Sequence, residues 1–362
     1  MTQHKRLGTA LVLSGAFIAP CVIAETTIGG YGELHYNNID NGAGSEKTEF
    51  DFHRFVLEFG HDFNDHIRFF SELELEHALS KDGGSCDISD TNNNGIIDAD
   101  EVSCPSDGPG EVELEQAYVE IDTSHQSSVK AGVFLIPVGI LNETHEPTTF
   151  YGVERNPVEA NIIPTTWWEA GAMYSAHMDN GVSYDLAFHS GLDAEDGNIR
   201  SGRQKVAKAK GDSLAYTARI KYTGTPGLEL AGTVHVQSDL SQGAGGPAEG
   251  ATLLEAHGIY SSGPFKFTAL YAAWDVDFNT ASDRESQTGS VIEVSYKATE
   301  KLGVFVRQNN WTNDDGVTDK AQTDVGMNYW PHEDVVFKID YQAQNDDAGN
   351  FDGFNLGVGY QF

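Results

Sequence analysis

Long and short connections alternate between the strand-like segments of this sequence, and this regularity leaves few folds open to it. Sixteen segments carry an apolar residue at every second position, which is the side-chain period of a β-strand. They span residues 26–36, 50–60, 67–77, 111–121, 128–136, 169–176, 182–189, 213–222, 228–237, 252–260, 265–274, 288–297, 301–310, 322–330, 334–344 and 352–362. The connections are alternately long, such as 78–110 and 137–168, and short, such as 223–227 and 261–264. All the short connections therefore fall at one end of the predicted sheet.

This alternation favours a transmembrane barrel over a soluble β-sandwich. A sandwich has no reason to keep its short turns at one end, whereas an outer-membrane barrel has short periplasmic turns, long extracellular loops and an even number of strands. Most segments are about 9–11 residues long, which is the length that a tilted strand needs to cross a bilayer. We therefore predict an all-β fold, a 16-stranded antiparallel transmembrane β-barrel, over residues 25–362.

The modest hydrophobic content agrees with a barrel, since hydrophobic residues make up 39% of the chain. In lipid every backbone N–H and C=O group needs an internal partner, so a sheet has to close on itself. Its outer face then needs one apolar layer, and its inner face can be polar. The last segment alternates up to the final residue, Phe362, as outer-membrane assembly signals do. An incidental aromatic ending is the alternative.

The charge balance excludes one broad class of function. The chain has 22 Lys and Arg residues against 55 Asp and Glu residues, which gives a formal net charge of −33. A protein with this charge repels the phosphate backbone of nucleic acids, so we expect no nucleic-acid partner.

The first 24 residues are expected to be a signal peptide outside the fold. Lys5 and Arg6 form a basic start, Leu7–Ile18 is too short to span a bilayer, and Val22 and Ala24 suit a signal-peptidase site. An ordinary first helix is the alternative. Beyond this segment the sequence has no run of 18 apolar residues. We therefore expect the outer membrane of a Gram-negative cell, with membrane lipid and lipopolysaccharide as neighbours.

Two stretches carry a family resemblance. The segment Lys130–Gly139 (KAGVFLIPVG), with Glu154–Pro157 (ERNP) after it, resembles the phosphate-selective porin O and P family and its wider relatives. The segment Arg54–Phe59, with Phe69–Glu74 after it, is similar to that family's early hairpin. The resemblance implies a homotrimeric diffusion channel for small hydrophilic solutes.

The third long connection, residues 137–168, is expected to fold into the barrel, as the loop at this place commonly does in sixteen-stranded porins. It contains four prolines and a Trp pair: Pro137, Pro147, Pro157, Pro164 and Trp167-Trp168. Such a composition is typical of a segment packed against a wall rather than surrounded by water. We predict a constriction loop, and a surface cap or a trimer-contact loop is the alternative.

Charged residues of both signs are expected on the inner face. The predicted pore-lining residues are Arg54, Arg68, Glu72, Glu74, Lys130, Arg219, Lys221, Lys266, Arg307, Lys338 and Asp340. Opposite charges on facing walls create a transverse field that orders water and screens solutes, and wall salt bridges are the alternative. The mixture predicts a weakly selective pore. The family resemblance instead implies a pore lined by lysines and arginines, so a phosphate- or anion-selective porin is the alternative function.

The second long connection, residues 78–110, contains a calcium-binding pattern. Residues 90–101 match D-x-[DN]-x-[DN]-G-x5-E at each fixed position. The expected ligands of Ca²⁺ are Asp90, Asn92, Asn94, Ile96 through its carbonyl, Asp98 and Glu101. Cys86 and Cys104 flank the pattern and are predicted to form a disulfide in an oxidising compartment. We expect a structural Ca²⁺ ion at the cell surface; an acidic, solvated loop without metal is the alternative.

Basic residues cluster in the fourth long connection, at Arg200, Arg203, Lys205, Lys208 and Lys210. They suit lipopolysaccharide phosphates or would draw anions toward the mouth, and a solvated loop is the alternative. The histidines show no metal-ligand spacing. The sequence also shows no nucleophile elbow, P-loop or compact Ser/His set, so we expect no enzyme.

Together these patterns predict a passive channel for small hydrophilic solutes or ions. Two other classes stay open. An outer-membrane enzyme barrel usually has fewer strands, and a calcium-dependent surface binding or adhesion barrel is expected to be closed to solutes.

Overall fold

The computed structural model describes residues 25–44, 46–77, 87–88, 102–103 and 110–362. The predicted signal peptide, residues 1–24, and the predicted calcium loop, residues 90–101, lie outside the described residues. Cys86 and Cys104 lie outside them too, so their pairing stays a prediction.

The described residues are almost entirely β-strand. The strands are β1 (Thr26–Asp40), β2 (Glu46–Asn64), β3 (Ile67–Glu76), β4 (Asp87–Ile88), β5 (Val102–Ser103), β6 (Val112–Ser124), β7 (Ser127–Leu135), β8 (Trp168–His177), β9 (Val182–His189), β10 (Ala215–Thr225), β11 (Leu228–Gln237), β12 (Ala248–Ser262), β13 (Phe265–Phe278), β14 (Ser286–Thr299), β15 (Leu302–Thr312), β16 (Lys320–His332), β17 (Val335–Gln344) and β18 (Asp352–Gln361). One short helix, α1 (Pro157–Asn161), and one 3₁₀ turn, Asp346–Ala348, complete the regular structure in the described ranges.

Within this described part of the chain, sixteen strands close into one antiparallel barrel, and β4 pairs only with β5. The closure joins β1 to β18, in a register that runs from Tyr31 opposite Gln361 to Asp40 opposite Asp352. Beyond that register, the amide of Gly30 donates to the Phe362 carbonyl over 3.1 Å, and the Phe362 amide donates back over 2.9 Å. The barrel thus has no free sheet edge, which is the condition for a sheet in lipid. The predicted 16-stranded antiparallel barrel is confirmed.

The two ends of the barrel differ. The seven short turns lie at one end, the turn end, and the eight longer loops lie at the other, the loop end. Several strands extend beyond the predicted segments at the loop end; β2 begins at Glu46 and β12 at Ala248. The ladder continues there, with Asp40 opposite Glu46 and Ala248 opposite Phe278. Backbone pairing does not require an apolar outer face above the membrane, so hydrophobic alternation ends before the strand does.

The outer face of the barrel is apolar. Ile220, Leu254 and Ile292 point outward and are about 60% exposed, whereas Thr217 and Arg219, on the opposite face of β10, are buried. No helix in the described ranges is long and apolar enough to cross a membrane.

The inner face of the barrel is apolar in one part and polar in the rest. The third loop, residues 136–167 and called the inner loop below, and the fourth loop carry apolar side chains into the barrel. They pack on inward-facing residues of β12, β13 and β14. The resulting cluster includes Ile136, Val158, Ile162, Ile163, Trp167, Leu192, Ile199, Leu253, Leu270, Trp274 and Val291. Part of the interior therefore has a packed apolar core, and the sequence analysis did not predict which wall residues contribute to it.

Trp274 of β13 joins the wall to the inner loop, since its Nε1 donates to the Ile162 carbonyl over 2.7 Å and its ring packs against Trp167. We expect Trp274→Ala to lower the free energy of unfolding by about 3–5 kcal/mol, because it leaves a cavity in this cluster. Trp274→Phe keeps an aromatic ring at this position. It should lower the free energy of unfolding by only about 1 kcal/mol, because the Ile162 carbonyl loses its hydrogen bond. Denaturant unfolding in detergent micelles measures both. An unfolding midpoint unchanged in Trp274→Ala would contradict this role.

Candidate pore and its constriction

The inner loop crosses the inside of the barrel instead of extending above it. At His145 it reaches the wall formed by β3 and β6, and at Pro147 it reaches β18. Tyr151 then lies against Phe305 of β15, and α1 returns along β14 and β15. The loop therefore divides the interior between the loop end and the turn end.

Three inward-facing glycines leave room for this path. Val158 occupies the space beside Gly289, Tyr151 the space beside Gly303, and Pro147 the space beside Gly359. In each case a Cβ atom on the glycine would overlap the loop side chain. Glycine thus permits close approach of the loop to the barrel wall.

Asn142 closes the base of the inner loop. Its Nδ2 donates to the carbonyls of Ile136 at 2.7 Å and of Trp167 at 3.0 Å, and its Oδ1 accepts from the Trp167 amide at 2.7 Å. One buried side chain therefore joins both ends of the loop.

Glu159 of α1 organises the middle of the inner loop. Its Oε1 accepts from the amides of Ile140 and Leu141, both at 2.6 Å. Asn156 caps α1 by accepting from the Glu159 amide at 2.9 Å and donates to Glu159 Oε2 at 2.7 Å. Burial raises the pKa of Glu159, although these hydrogen bonds oppose the rise.

Two charged contacts fasten the inner loop to the opposite wall. His145 Nε2 lies 3.5 Å from Glu115 and 3.6 Å from Glu72. Burial alone would lower the pKa of His145, but the two carboxylates outweigh it and raise the pKa to about 10. Glu154 accepts from Asn37 Nδ2 at 2.9 Å and lies 3.1 Å from His35 Nδ1. Burial opposes ionisation of Glu154, yet His35 holds its pKa well below the usual range.

Six glutamates form an acidic surface inside the barrel, which we call the glutamate wall. They are Glu72, Glu74, Glu76, Glu111, Glu113 and Glu115. Glu74 of β3 is in register with Glu113 of β6, and their ligand oxygens lie within 4.8 Å of each other and of Glu115. Like charges at such distances repel, so the wall depends on nearby cations.

The cations come from the wall itself and from both inward loops. Arg54 of β2 lies 3.6 Å from Glu74. Lys205 of the fourth loop lies 2.6 Å from Glu111 and also contacts Glu113. Burial lowers the pKa of Lys205, but these two carboxylates outweigh it and raise the pKa overall. A band of carboxylates therefore faces basic side chains across the loop-end half of the interior.

The predicted basic cluster of the fourth loop does not form one solvated surface. Arg203 Nη1 donates to the Thr166 carbonyl at 2.7 Å, and Arg200 donates to the Ala160 carbonyl, so both attach the fourth loop to the inner loop. Lys208 is exposed, and Lys210 pairs with Asp193 at 2.8 Å.

Four predicted pore-lining residues meet at a cavity of about 440 Å³ between the inner loop and the turn-end wall. Arg219 pairs there with Asp185 at 2.7 Å and with Glu143, and Arg307 pairs with Asp324 at 2.9 Å. Lys221 and Lys266 also line the cavity, and neither makes an ion pair within the described part of the chain.

The other predicted pore-lining residues lie on the inner face but apart from that cavity. Arg68 pairs with Glu120 and Asp122 near the turn end, at 3.1 and 2.7 Å. The Lys130 ammonium lies over the ring of Tyr118. Arg54, Glu72 and Glu74 belong to the loop-end half described above. Two residues meet the inner loop: Lys338 lies 3.5 Å from the centre of the Phe150 ring, and Asp340 accepts from the Val153 amide at 2.6 Å.

Several residues of this arrangement were missed by sequence reasoning. Glu115 is the extra residue of a bulge, since Glu72 pairs with Gln116 and Leu73 with Leu114. The strict period of two breaks after Glu115, because Gln116 also points inward and donates to Glu72, so the sequence does not show where the inner face shifts. The contacts of Glu154 and Arg155 depend on the path of the inner loop, for which no local pattern exists.

A closed 16-stranded barrel with a charged, loop-divided interior defines an outer-membrane diffusion channel. Residues 28–362 match the family "Phosphate-selective porin O and P", and the chain belongs to that family. The turn end is therefore the periplasmic end and the loop end the extracellular one. The resemblance seen in the sequence and the predicted outer-membrane location are confirmed.

Comparisons of sequence and of fold also find similar proteins. An uncharacterized protein of Aquifex aeolicus is 30% identical over 366 residues, which cover 88% of this chain and 76% of that protein. The fold is similar to that of an anion-selective porin from Comamonas acidovorans, with a TM-score of 0.64 and 12% identity. The match covers 94% of this chain and 100% of that one. It is also similar to OmpT of Vibrio cholerae in its trimer form, with a TM-score of 0.59, 9% identity, and 94% and 99% covered.

His145 is expected to hold the inner loop against the glutamate wall. Because its pKa is raised, its stabilising charge is fully present below about pH 6.5 and is lost as the pH rises through about 10. We expect the single-channel conductance of the wild type to increase between pH 7 and pH 10.5 as the loop loosens. His145→Ala should already have a raised conductance at pH 7 and a flatter pH profile.

The matched control is His332→Ala, because His332 is an exposed residue at the periplasmic end of β16. It should keep the wild-type conductance and pH profile. A His145→Ala channel indistinguishable from wild type at both pH values would show that this contact does not hold the loop.

Proposed function

We propose that this porin is a passive, weakly selective diffusion channel for small hydrophilic solutes and ions, and not an enzyme. The inner loop would form the constriction. The observation that carries this proposal is the attachment of that loop to walls all around the interior, at His145, Tyr151, Glu154 and Trp167. A segment so attached would narrow the path through the barrel.

The charge arrangement supports weak selectivity. Glutamates face Lys205 and Arg203 in the extracellular half, while Lys221 and Lys266 stay unpaired in the periplasmic half of the described structure. A permeating ion thus meets both signs in turn, and most of the remaining wall charges are neutralised by ion pairs. Such an arrangement acts on dipolar solutes more strongly than it selects for one sign of ion.

Anion or phosphate selectivity is the second candidate. It is supported by the family description and by Lys221 and Lys266, whose ammonium groups line the periplasmic cavity. Arg155 adds to this support, since its Nε and Nη2 are buried without a hydrogen-bond partner among the described residues. The glutamate wall opposes it, because phosphate approaching from outside would pass six carboxylates.

Membership of the porin family also suggests an oligomeric state and the molecules that surround the barrel. We infer a homotrimer, which is supported by the similar fold of OmpT in its trimer form. The apolar outer face, for example Tyr271 and Phe354, would contact membrane lipid and the other subunits. We propose that lipopolysaccharide contacts the long loops. Arg200 and Arg203 do not contribute, because their guanidinium groups donate to carbonyls of the inner loop.

Reversal potentials in a KCl gradient across a planar bilayer test the selectivity. We expect a permeability ratio near one for the wild type, and conductance lost in three equal steps from a trimer. Lys221→Ala with Lys266→Ala should shift the ratio toward cations a few-fold, since a unit charge about 5 Å away in water is worth about 0.8 kcal/mol. Glu76→Gln with Glu111→Gln should shift it toward anions.

Lys301→Ala is the control, because Lys301 lies in an exposed periplasmic turn. A strong anion preference of the wild type would replace the mixed-field proposal by the anion-selective one. A barrel that never opens would favour the calcium-dependent adhesion alternative.

We also propose a structural Ca²⁺ ion bound by Asp90, Asn92, Asn94, Ile96, Asp98 and Glu101, with Cys86 and Cys104 joined beside it. The support is the sequence pattern alone.

Calorimetric titration of the folded, oxidised, chelator-treated protein with Ca²⁺ tests this site. We expect one saturable site per chain, which Glu101→Gln should weaken strongly by removing the bidentate ligand. Asp283→Asn, in another extracellular loop, should bind as the wild type does. The absence of any saturable binding in the wild type would remove the proposal.

A further inference from the structure

Asp51, His53 and His77 meet on the inner wall at the extracellular mouth of the barrel. The two oxygens of Asp51 are shared between two imidazoles, with Oδ2 3.1 Å from His53 Nδ1 and Oδ1 2.8 Å from His77 Nδ1. The three ligand atoms lie within 4.8 Å of one another. His77 is 44% exposed and His53 27%, so the group is open to solutes in the mouth.

A β-bulge brings His53 to the inner face. Opposite β1, Glu33 pairs with Arg54 and His35 pairs with Asp51, so β2 holds one extra residue between these pairs. Arg54 points inward, and on a regular strand His53 would therefore point to lipid. The extra residue reverses the faces, so Asp51 and His53 point inward, and the ring of His53 stacks on His35 at 4.6 Å.

A left-handed backbone brings His77 to the same place. His77 follows the last residue of β3 and has a φ of 53°, while its amide donates to the His53 carbonyl at 3.1 Å. Residues with a side chain adopt this conformation at a cost of about 1–2 kcal/mol. On a continued strand His77 would point outward, since Glu76 before it points inward, but the turn aims its imidazole at Asp51.

This donor set has the chemistry of a transition-metal site. Imidazole nitrogens and a carboxylate oxygen are the ligands that Zn²⁺, Cu²⁺ and Ni²⁺ prefer, and the 2.8 and 3.1 Å separations between them suit bonds of about 2.0–2.2 Å to one ion. Three protein ligands leave at least one position open to water or to a solute. Hard Ca²⁺ prefers oxygen ligands, so this group differs in preference from the acidic pattern at residues 90–101.

The other convergent groups in the described ranges fit a metal less well. His145, between Glu72 and Glu115, is sealed from solvent and already forms the ion pair that holds the inner loop. The two all-glutamate groups of the glutamate wall are neutralised in part by Lys205. The Asp51 group alone among these combines two imidazoles with access from the mouth.

We propose that Asp51, His53 and His77 bind a divalent transition-metal ion, with Zn²⁺ as the representative probe, at the extracellular mouth of the channel. The bound ion joins β2 to the start of the second loop, because His77 is the first residue after β3. It also adds positive charge beside the glutamate wall. Binding of the ion does not require that the pore has the ion selectivity proposed above.

Calorimetric titration with ZnCl₂ of the untagged, folded, chelator-treated protein in detergent tests the site, in buffer with excess Ca²⁺ to saturate the calcium pattern. We expect one site per chain. His53→Ala and His77→Ala should each weaken binding at least about tenfold, since even indirect changes around metal ligands cost about 10–100-fold. His61→Ala, on the same strand near the periplasmic end, is the matched control and should bind as the wild type does.

A second readout keeps the test independent of misfolding. The difference in electrophoretic mobility between unheated and heated samples identifies the folded barrel. Asp51→Asn keeps the size of the side chain, and it replaces any histidine variant that fails to fold. Zn²⁺ should raise the thermal unfolding temperature of the wild type and not that of Asp51→Asn. Absence of saturable Zn²⁺ binding, or equal binding by wild type and folded variants, would overturn the proposal.

Discussion

The structure depends first on the hydrogen-bonded closure of β1 against β18. In hydrocarbon no water can pair with a free sheet edge, and each unpaired group costs several kcal/mol, so the sheet is stable only as a closed ring. The register from Tyr31–Gln361 to Asp40–Asp352, continued by Gly30 and Phe362, completes that ring. A ring of sixteen strands encloses more space than its own side chains fill. The inner loop and the fourth loop occupy that space because closure creates it.

Two kinds of interaction hold these loops, and they lie on different sides of the interior. Apolar packing around Trp167 and Trp274 secures the loops to β12, β13 and β14. Ion pairs and hydrogen bonds at His145 and Glu154 secure the inner loop to β1, β3 and β6. The apolar side gives a rigid support. The charged side depends instead on ionised groups, since the raised pKa of His145 keeps its imidazole charged at neutral pH.

The barrel could be predicted from the sequence because its two signals, period-two alternation and loop parity, are local and repeat along the chain. Strand ends at the mouth were less predictable, because pairing such as Ala248 with Phe278 continues where the outer face no longer meets lipid. The bulges at His53 and Glu115 each add one residue, which reverses the faces without any change of composition. The wall residues of the apolar interior were not predicted, for another reason. Inward residues such as Leu253 and Trp274 find their partners in loops, and contacts of that range leave no periodic signal.

The inward-facing glycines at 289, 303 and 359 make the wall and the inner loop a matched pair. Each glycine leaves a gap, or notch, in the wall, and a side chain of the inner loop, far away in the sequence, fills it. If the loop were shortened to widen the channel, these notches would expose bare backbone to water and the wall would lose packing at β14, β15 and β18. Relatives with a differently folded loop should therefore carry larger residues at these places, so that pore width and wall composition change together.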